Sequence, residues 1–381
     1  MNGESRFQRL RLKNWKNFAS VDVELQNRVF LVGPNAAGKS NLLDVFRFLR
    51  DLGSPGGGFQ EAIGRRGGVS AIRCLAARRY PDVEIAVELR DPEGVWAYEL
   101  ALHQDNQRRA LIRKERVLKD GEVILDRPNE EDRADSVRLT QTYLEQVNVN
   151  QPFRRLVDFF ASIRYLHIVP QLVREPDRSV GRPNDPFGGD FLEQVAKTQQ
   201  KTRDARLRRI RDALRIAVPQ LQEVELIRDE RGTPHLRGKY QHWRPQGAWQ
   251  NEEQFSDGTL RLMGLLWVVM EKHGPLLLEE PELSLHPEIV RLLPQVLARA
   301  QRRTGRQVFL STHSPELLYD EGIGLDEVLL LMPGLEGTEV TPAASHQDVR
   351  DLLEGGVSLA DAVIPKTRPP RAAQLTLFGD D

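Results

Sequence analysis

Lys39 and Ser40 close the run Gly-Pro-Asn-Ala-Ala-Gly-Lys-Ser at residues 33–40. Two glycines with four residues between them, followed at once by Lys-Ser, form a phosphate-binding pattern. Glycine lets backbone N–H groups curl around a phosphate, and a helix starting there adds positive potential. Lys39 would reach the β and γ oxygens of a nucleoside triphosphate, and the Ser40 hydroxyl would ligate Mg²⁺. The plain alternative is a glycine turn joining strand to helix.

Three later stretches carry groups that hydrolysis needs. In GPLLLEEPELSLHP (274–287), Glu279 and Glu280 follow the apolar run Leu276–Leu278. Glu279 would orient Mg²⁺, and Glu280 would polarise the attacking water as a general base. On its own, Glu-Glu-Pro-Glu would read as a solvated turn. His313 ends the apolar run in RQVFLSTHSPELL, about thirty residues beyond Glu280. It sits where a ring would reach a γ-phosphate, although a lone histidine is more often structural. Ser256 and Gly258 open FSDGTLRLMGLLWVVMEK, an apolar helix whose N-terminus would bind an anion or be simply capped by serine. One chain rarely needs two anion sites, unless the second serves another subunit's nucleotide.

These groups need a scaffold. RVFLV before Gly33 reads as a buried strand, and Leu42, Leu43, Phe46, Leu49 and Leu52 recur at helical spacing after Ser40. Two strands are expected before residue 28. The segment 70–126 reads as an antiparallel meander, with Val83, Ile85, Val87 and Leu89 on one face and turns at DPEG and KDGE. Residues 139–161 read as helical, 162–171 as a strand running into a proline, and 191–218 as one helix. Within that helix, Ala196–Arg215 holds eight basic and two acidic residues. Motif positions divide the chain into 1–171, 172–254, 255–345 and 346–381.

Composition sets limits. Net charge is −1, so attraction to nucleic acid must come from local patches. One cysteine, Cys74, excludes an internal disulfide framework and fits a reducing cytoplasm. The N-terminus lacks the apolar run of a secretory signal, and Leu262–Met270 is about half a membrane span. A cytoplasmic protein without a membrane segment is expected.

The four motifs, in this order, resemble those of ABC-type ATPase heads of the SMC/RecF/OLD group, in particular short stand-alone RecF- and OLD-like ATPases. The opening LRLKNWKNFASVDVELQNRVFLVGPNAAGKSNLLDVFRFL is similar to their N-terminal block. FSDGTLR is similar to their signature, LLLEEPELSLHP to their Walker B and D-loop, and LSTHSPELL to their switch-histidine block. The likeness implies an α/β P-loop fold with an antiparallel β subdomain and a helical lid insert. It also implies two heads sandwiching two ATP molecules, each held by Gly33, Asn35, Ala36, Ala37, Gly38, Lys39, Ser40 and Asn41 of one head. Ser256 and Gly258 of the twin would complete each site, with Glu280 and His313 catalytic. Mg²⁺ would fall to Ser40, Glu279 and a Q-loop glutamine, Gln171 or, less well placed, Gln60. Glu279 departs from the aspartate of many members.

Spacing narrows the kind of head. Lys39 and Ser256 lie 217 residues apart, unlike the compact arrangement of transporter subunits. About 80 residues separate Gln171 from Phe255, too few for long coiled-coil arms. Only 68 residues follow His313, too few for a Toprim nuclease, so any cutting is expected from a separate partner. In the basic helix, Leu207, Ile210 and Leu214 would face inward and Arg203, Arg206 and Arg209 outward, available to a DNA backbone or simply solvated. The tail peptide Gln374, Leu375, Thr376, Leu377, Phe378 resembles sliding-clamp ligands, a polar anchor followed by apolar plugs. The expected function is an ATP-hydrolysing, ATP-dimerising, DNA-associated protein of repair or anti-phage defence. The alternative is an ATP-gated scaffold controlling a partner nuclease or toxin without touching DNA.

Overall fold

A computed structural model describes residues 5–77, 82–175, 185–243, 248–272 and 274–368. Backbone contacts divide the chain into two units. The first holds residues 1–163, 273–275 and 305–381, and the second 164–272 and 276–304.

The chain enters the first unit through β1 (Arg6–Trp15), β2 (Phe18–Glu24), β3 (Arg28–Val32), β4 (Val83–Asp91), β5 (Gly94–Gln104), β6 (Ala110–Lys119) and β7 (Glu122–Arg127). In the second unit it forms β8 (Arg164–Leu166), β9 (Leu221–Arg228), β10 (Pro234–Tyr240), β11 (Ala248–Asn251) and β12 (Leu276–Glu279). It returns to the first unit for β13 (Val308–Thr312), β14 (Val328–Gly334) and β15 (Gly337–Pro342).

In the first unit, β3 lies between β13 and β14, parallel to both, and β15 pairs antiparallel with β14. Parallel strands buried on both faces read as unbroken apolar runs, which is why Val29–Val32 and Val308–Leu310 show no alternation. A second sheet, wholly antiparallel, runs β2-β1-β4-β5-β6-β7. Its β4 alternates as its sequence does, with Val83, Ile85, Val87 and Leu89 at most 1% exposed. The KDGE hairpin places Asp120 (φ 50°) and Gly121 (φ 87°) in left-handed backbone, the turn whose twist matches paired strands. The helix Lys39–Gly53 buries Leu42, Leu43, Phe46, Leu49 and Leu52, the positions that periodicity marked.

Phe7 anchors the core of this unit. Its ring lies 4.8 Å from Phe46, 4.9 Å from Phe159 and 6.4 Å from Phe309. Burying one such ring contributes about 1.5–3 kcal/mol. Gln307 fixes the backbone there, accepting from Phe7 N (2.8 Å) and donating to Phe7 O (2.8 Å).

The second unit has β8 parallel to β12 and a three-stranded antiparallel sheet in the order β11-β10-β9. The helix Gln200–Ala217 packs Leu207, Ile210 and Leu214 inward, as its spacing predicted. Leu221 of β9 and Leu236 of β10 are likewise fully buried.

Three expectations need correction. Residues 139–161 are helical only at Ser136–Thr140 and Gln151–Phe153, both tight 3₁₀ turns, and at Arg154–Ala161. Between them the backbone N–H groups of Thr142 and Tyr143 go to the carboxylates of Glu145 (2.7 Å) and Glu115 (3.0 Å), not to helical carbonyls. Glu115 also pairs with Arg127 (2.8 Å), and Arg127 with Asp132 (2.8 Å), all three side chains fully buried. A buried charge set of this kind must be satisfied completely, and it takes the donors a helix would use.

The expected helix 191–218 is two, Phe191–Lys197 and Gln200–Ala217, because Thr198 turns extended (φ −69°, ψ 135°) and its hydroxyl caps Gln194 O. The strand expected over 162–171 stops at Leu166. Pro170 instead opens the short helix Pro170–Val173, a position its missing N–H favours.

Candidate nucleotide site

The phosphate loop belongs to the first unit. Register pairs Val32 with Thr312 on one side and with Leu330 on the other. The chain must turn immediately at Gly33, where a Cβ would lie 2.7 Å from Leu331 O. The loop then needs left-handed backbone at Ala36 (φ 63°) and Gly38 (φ 96°). Gly38 has a second reason to be glycine: a Cβ there would lie 2.1 Å from Asn17 Nδ2.

Asn17 was not visible as a functional residue in the sequence. Its amide donates to Ala37 O (2.9 Å) and Thr338 Oγ1 (2.8 Å), and its carbonyl accepts from Asn41 Nδ2 (2.8 Å). Trp15 Nε1 donates to Asn41 O (2.9 Å). The turn between β1 and β2 therefore braces the loop from outside, and Asn41 takes part in that brace. No local signal distinguishes Asn17 from an ordinary turn asparagine.

Lys39 is buried at 6% exposure, and its ammonium donates to Gly33 O (2.8 Å) and Pro34 O (3.1 Å). A buried cation held by two carbonyls of its own loop can exchange them for phosphate oxygens without entering an apolar environment. Asn35, Ala36 and Ser40 are exposed, and Ala37 is buried. His313 is exposed one residue beyond the end of β13, at the level where Gly33 leaves β3. The histidine and the loop thus leave neighbouring strand ends together.

The carboxylates belong to the second unit. Leu276–Leu278 are buried, and Glu279 and Glu280 are half-buried at the end of β12. Glu280 adopts φ 42°, and Ser284, in the turn that follows, φ 62°. The Tyr165 hydroxyl donates to the Glu279 carboxylate, and His167 Nδ1 lies 3.1 Å from Glu279 O. Ser256 caps the helix Asp257–Val269, its Oγ accepting from Thr259 N (3.2 Å). Gly258 approaches the turn after Glu280 so closely that a Cβ would stand 2.5 Å from Ser284 O.

Arg174 donates to Phe255 O (2.7 Å) and Asp257 Oδ1 (2.6 Å), fastening the serine–glycine turn to the segment that begins at Pro170. Its partners lie more than eighty residues away, so sequence reading passes over it. Gln171 is exposed on that same short helix. Gln60 is occupied as a brace, donating to Ala110 O (3.0 Å) and Thr140 O (2.8 Å).

Residues 28–318 match the family described as "AAA domain, putative AbiEii toxin, Type IV TA system". The chain belongs to this AAA-domain family. No curated protein matches it. Among solved structures it is similar to an Smc head domain with an extended coiled coil from Pyrococcus furiosus, bound to the C-terminal domain of ScpA. Identity is 11%, the TM-score 0.54, and the match covers 92% of this chain and 99% of that one. An Smc head bound to the C-winged helix domain of ScpA is 13% identical with a TM-score of 0.55, covering 88% and 97%. The Smc head with coiled coil and joint from Pyrococcus yayanosii is 11% identical with a TM-score of 0.52, covering 92% and 100%. At these identities the likeness is one of fold: the SMC-like, ABC-type P-loop ATPase head, with the antiparallel β subdomain that the motifs implied.

Elsewhere the AAA-domain chain differs from expectation. Of the three arginines placed outward on the basic helix, Arg209 is exposed. Arg206 instead lies over the Trp267 ring, 5.1 Å from its centroid, and Arg203 pairs with Asp204 (3.3 Å). An arginine stem covers apolar surface as readily as it enters water. The tail peptide, Gln374, Leu375, Leu377 and Phe378, lies outside the described residues. Among the described residues, no helix is long and apolar enough to cross a membrane.

The hairpin β9–β10 carries a titratable cluster next to the signature turn. His235 Nδ1 lies 2.7 Å from Glu252, and Nε2 lies 3.7 Å from Asp229. Burial alone would lower the imidazole pKa, but the hydrogen bond and charge of Glu252, with Asp229, hold it above its usual value. Burial lifts the Glu252 carboxyl in turn, while the His235 hydrogen bond opposes that shift. A raised histidine pKa stabilises the fold fully below the unfolded value of about 6.5, and that contribution is lost as pH rises through the folded value. Thermal unfolding followed from pH 6 upward is expected to show a decline that His235→Gln removes. Equal slopes in both proteins would disprove it.

Proposed function

We propose that the chain binds ATP with Mg²⁺, hydrolyses it, and closes as a homodimer around it in the cytoplasm. The observation that carries this reading is the braced loop at 33–40, with His313 leaving the next strand at the same level. In the proposed reaction, the loop N–H groups and Asn35 surround the β-phosphate, and Lys39 moves from its two carbonyls to the phosphate oxygens. Glu280 takes the proton of the attacking water, and His313 donates to the γ-phosphate. Ser256 and Gly258 of the twin close the site from the opposite side. The Ser40 hydroxyl, the Glu279 carboxylate and the Gln171 amide oxygen are hard oxygen donors that fit Mg²⁺, which when bound would neutralise charge on the phosphates.

The proposed setting is DNA-associated work in repair or anti-phage defence. Support comes from the exposed Arg208 and Arg209 on the helix Gln200–Ala217. Such contacts would touch backbone phosphates and weaken as salt rises. Duplex DNA is expected to raise ATP turnover at low salt and to lose that effect near 0.2 M salt. Turnover indifferent to DNA, with a second gene product co-purifying, favours the other reading, an ATP-gated scaffold controlling a partner nuclease or toxin. The family's description names a toxin and a toxin–antitoxin system. The tail peptide would add a clamp contact in the first case.

A further inference from the structure

Glu279 closes β12, and its carboxylate sits on a side chain one methylene longer than that of aspartate. A glutamate has one more rotatable bond and loses more freedom when its carboxylate is fixed. The structure offers a device for fixing it. Tyr165 pairs in register with Leu277 across β8 and β12, so its ring lies on the sheet face that Glu279, two residues further on, also occupies. Tyr165 is 9% exposed, and its hydroxyl donates to one oxygen of the Glu279 carboxylate. His167, two residues beyond Tyr165, holds the backbone of the same residue through Glu279 O. The backbone of His167 is itself tied down, its N–H donating to Pro186 O (2.9 Å).

We infer that Tyr165 is a positioning residue for the metal-facing carboxylate of Glu279. Its hydroxyl holds one oxygen of that carboxylate and so restricts the orientations the side chain can take toward Mg²⁺. Partners one step behind a metal ligand set its orientation, and their loss typically weakens metal affinity about 10- to 100-fold. The inference rests on the proposed role of Glu279 toward Mg²⁺.

The test is binding of a fluorescent ATP analogue, titrated with Mg²⁺, in the full-length wild type, Tyr165→Phe, Glu279→Gln and the double variant. Phenylalanine keeps the buried ring and removes only the hydroxyl; thermal unfolding checks that the fold is retained. Tyr165→Phe is expected to raise the Mg²⁺ concentration needed for half-maximal enhancement of binding about 10-fold or more. Binding without Mg²⁺ should be unchanged, and Tyr165→Phe should add nothing in the Glu279→Gln background. If Glu279→Gln loses the Mg²⁺ effect while Tyr165→Phe keeps that of the wild type, the positioning role is wrong and the proposed function stands. If Glu279→Gln itself leaves the Mg²⁺ effect intact, the metal role of Glu279 is wrong and the inference falls with it.

Discussion

Glu280→Gln is expected to cut ATP turnover by about two to four orders of magnitude while ATP stays bound. The substitution is nearly isosteric, so the turn at φ 42° that Glu280 occupies is preserved. What disappears is the capacity to take a proton, since an amide does not act as a base at neutral pH. Binding and closure come before proton transfer in the proposed sequence. The variant should therefore collect in the closed state, eluting as a dimer with ATP and as a monomer without it. A protein that binds ATP and still elutes as a monomer would remove the support for a two-headed sandwich. Unchanged turnover would remove Glu280 as the base.

Lys39→Ala is expected to weaken ATP binding by at least about 100-fold, the scale of two hydrogen bonds to a charged group. Lys39 is 6% exposed and its ammonium is bonded to Gly33 O and Pro34 O, so its removal also costs the free protein something. Two carbonyls that lose a buried donor destabilise the loop by about 1–3 kcal/mol. Calorimetric titration with ATP therefore has to be read beside the unfolding temperature. A modest drop in stability with lost binding fits the assigned loop; intact affinity contradicts it.

Much of this could be read from the chain because the informative patterns are local. A strand, a glycine turn and a helix between Arg28 and Gly53 announce themselves through apolar runs and spacing, and the helix Lys39–Gly53 buries the very positions that recur. Ser256 declares itself as a cap because capping involves residues three apart. Other features escaped for a common reason. Asn17, Tyr165 and Arg174 act on partners 20 to 321 residues away, and nothing in their neighbourhood marks them. Distance also helped defeat the helix expected at 139–161: the Tyr143 N–H goes to Glu115, a residue of β6, while the Thr142 N–H goes locally to Glu145. Arg206 was assigned to solvent on helical spacing, and only the presence of Trp267 beside it decides otherwise.

The position of β3 has a consequence for how this protein comes into being. Both neighbours of that strand, Val308–Thr312 and Val328–Gly334, are encoded roughly 280 or more residues downstream. At ribosomal speeds of about 5–20 residues per second, the strand bearing the nucleotide loop waits about 15–55 s with both edges bare. Throughout that interval ATP has no finished cradle to occupy and cannot act as a folding ligand. Until then the bare edges of that strand are templates on which another copy could pair.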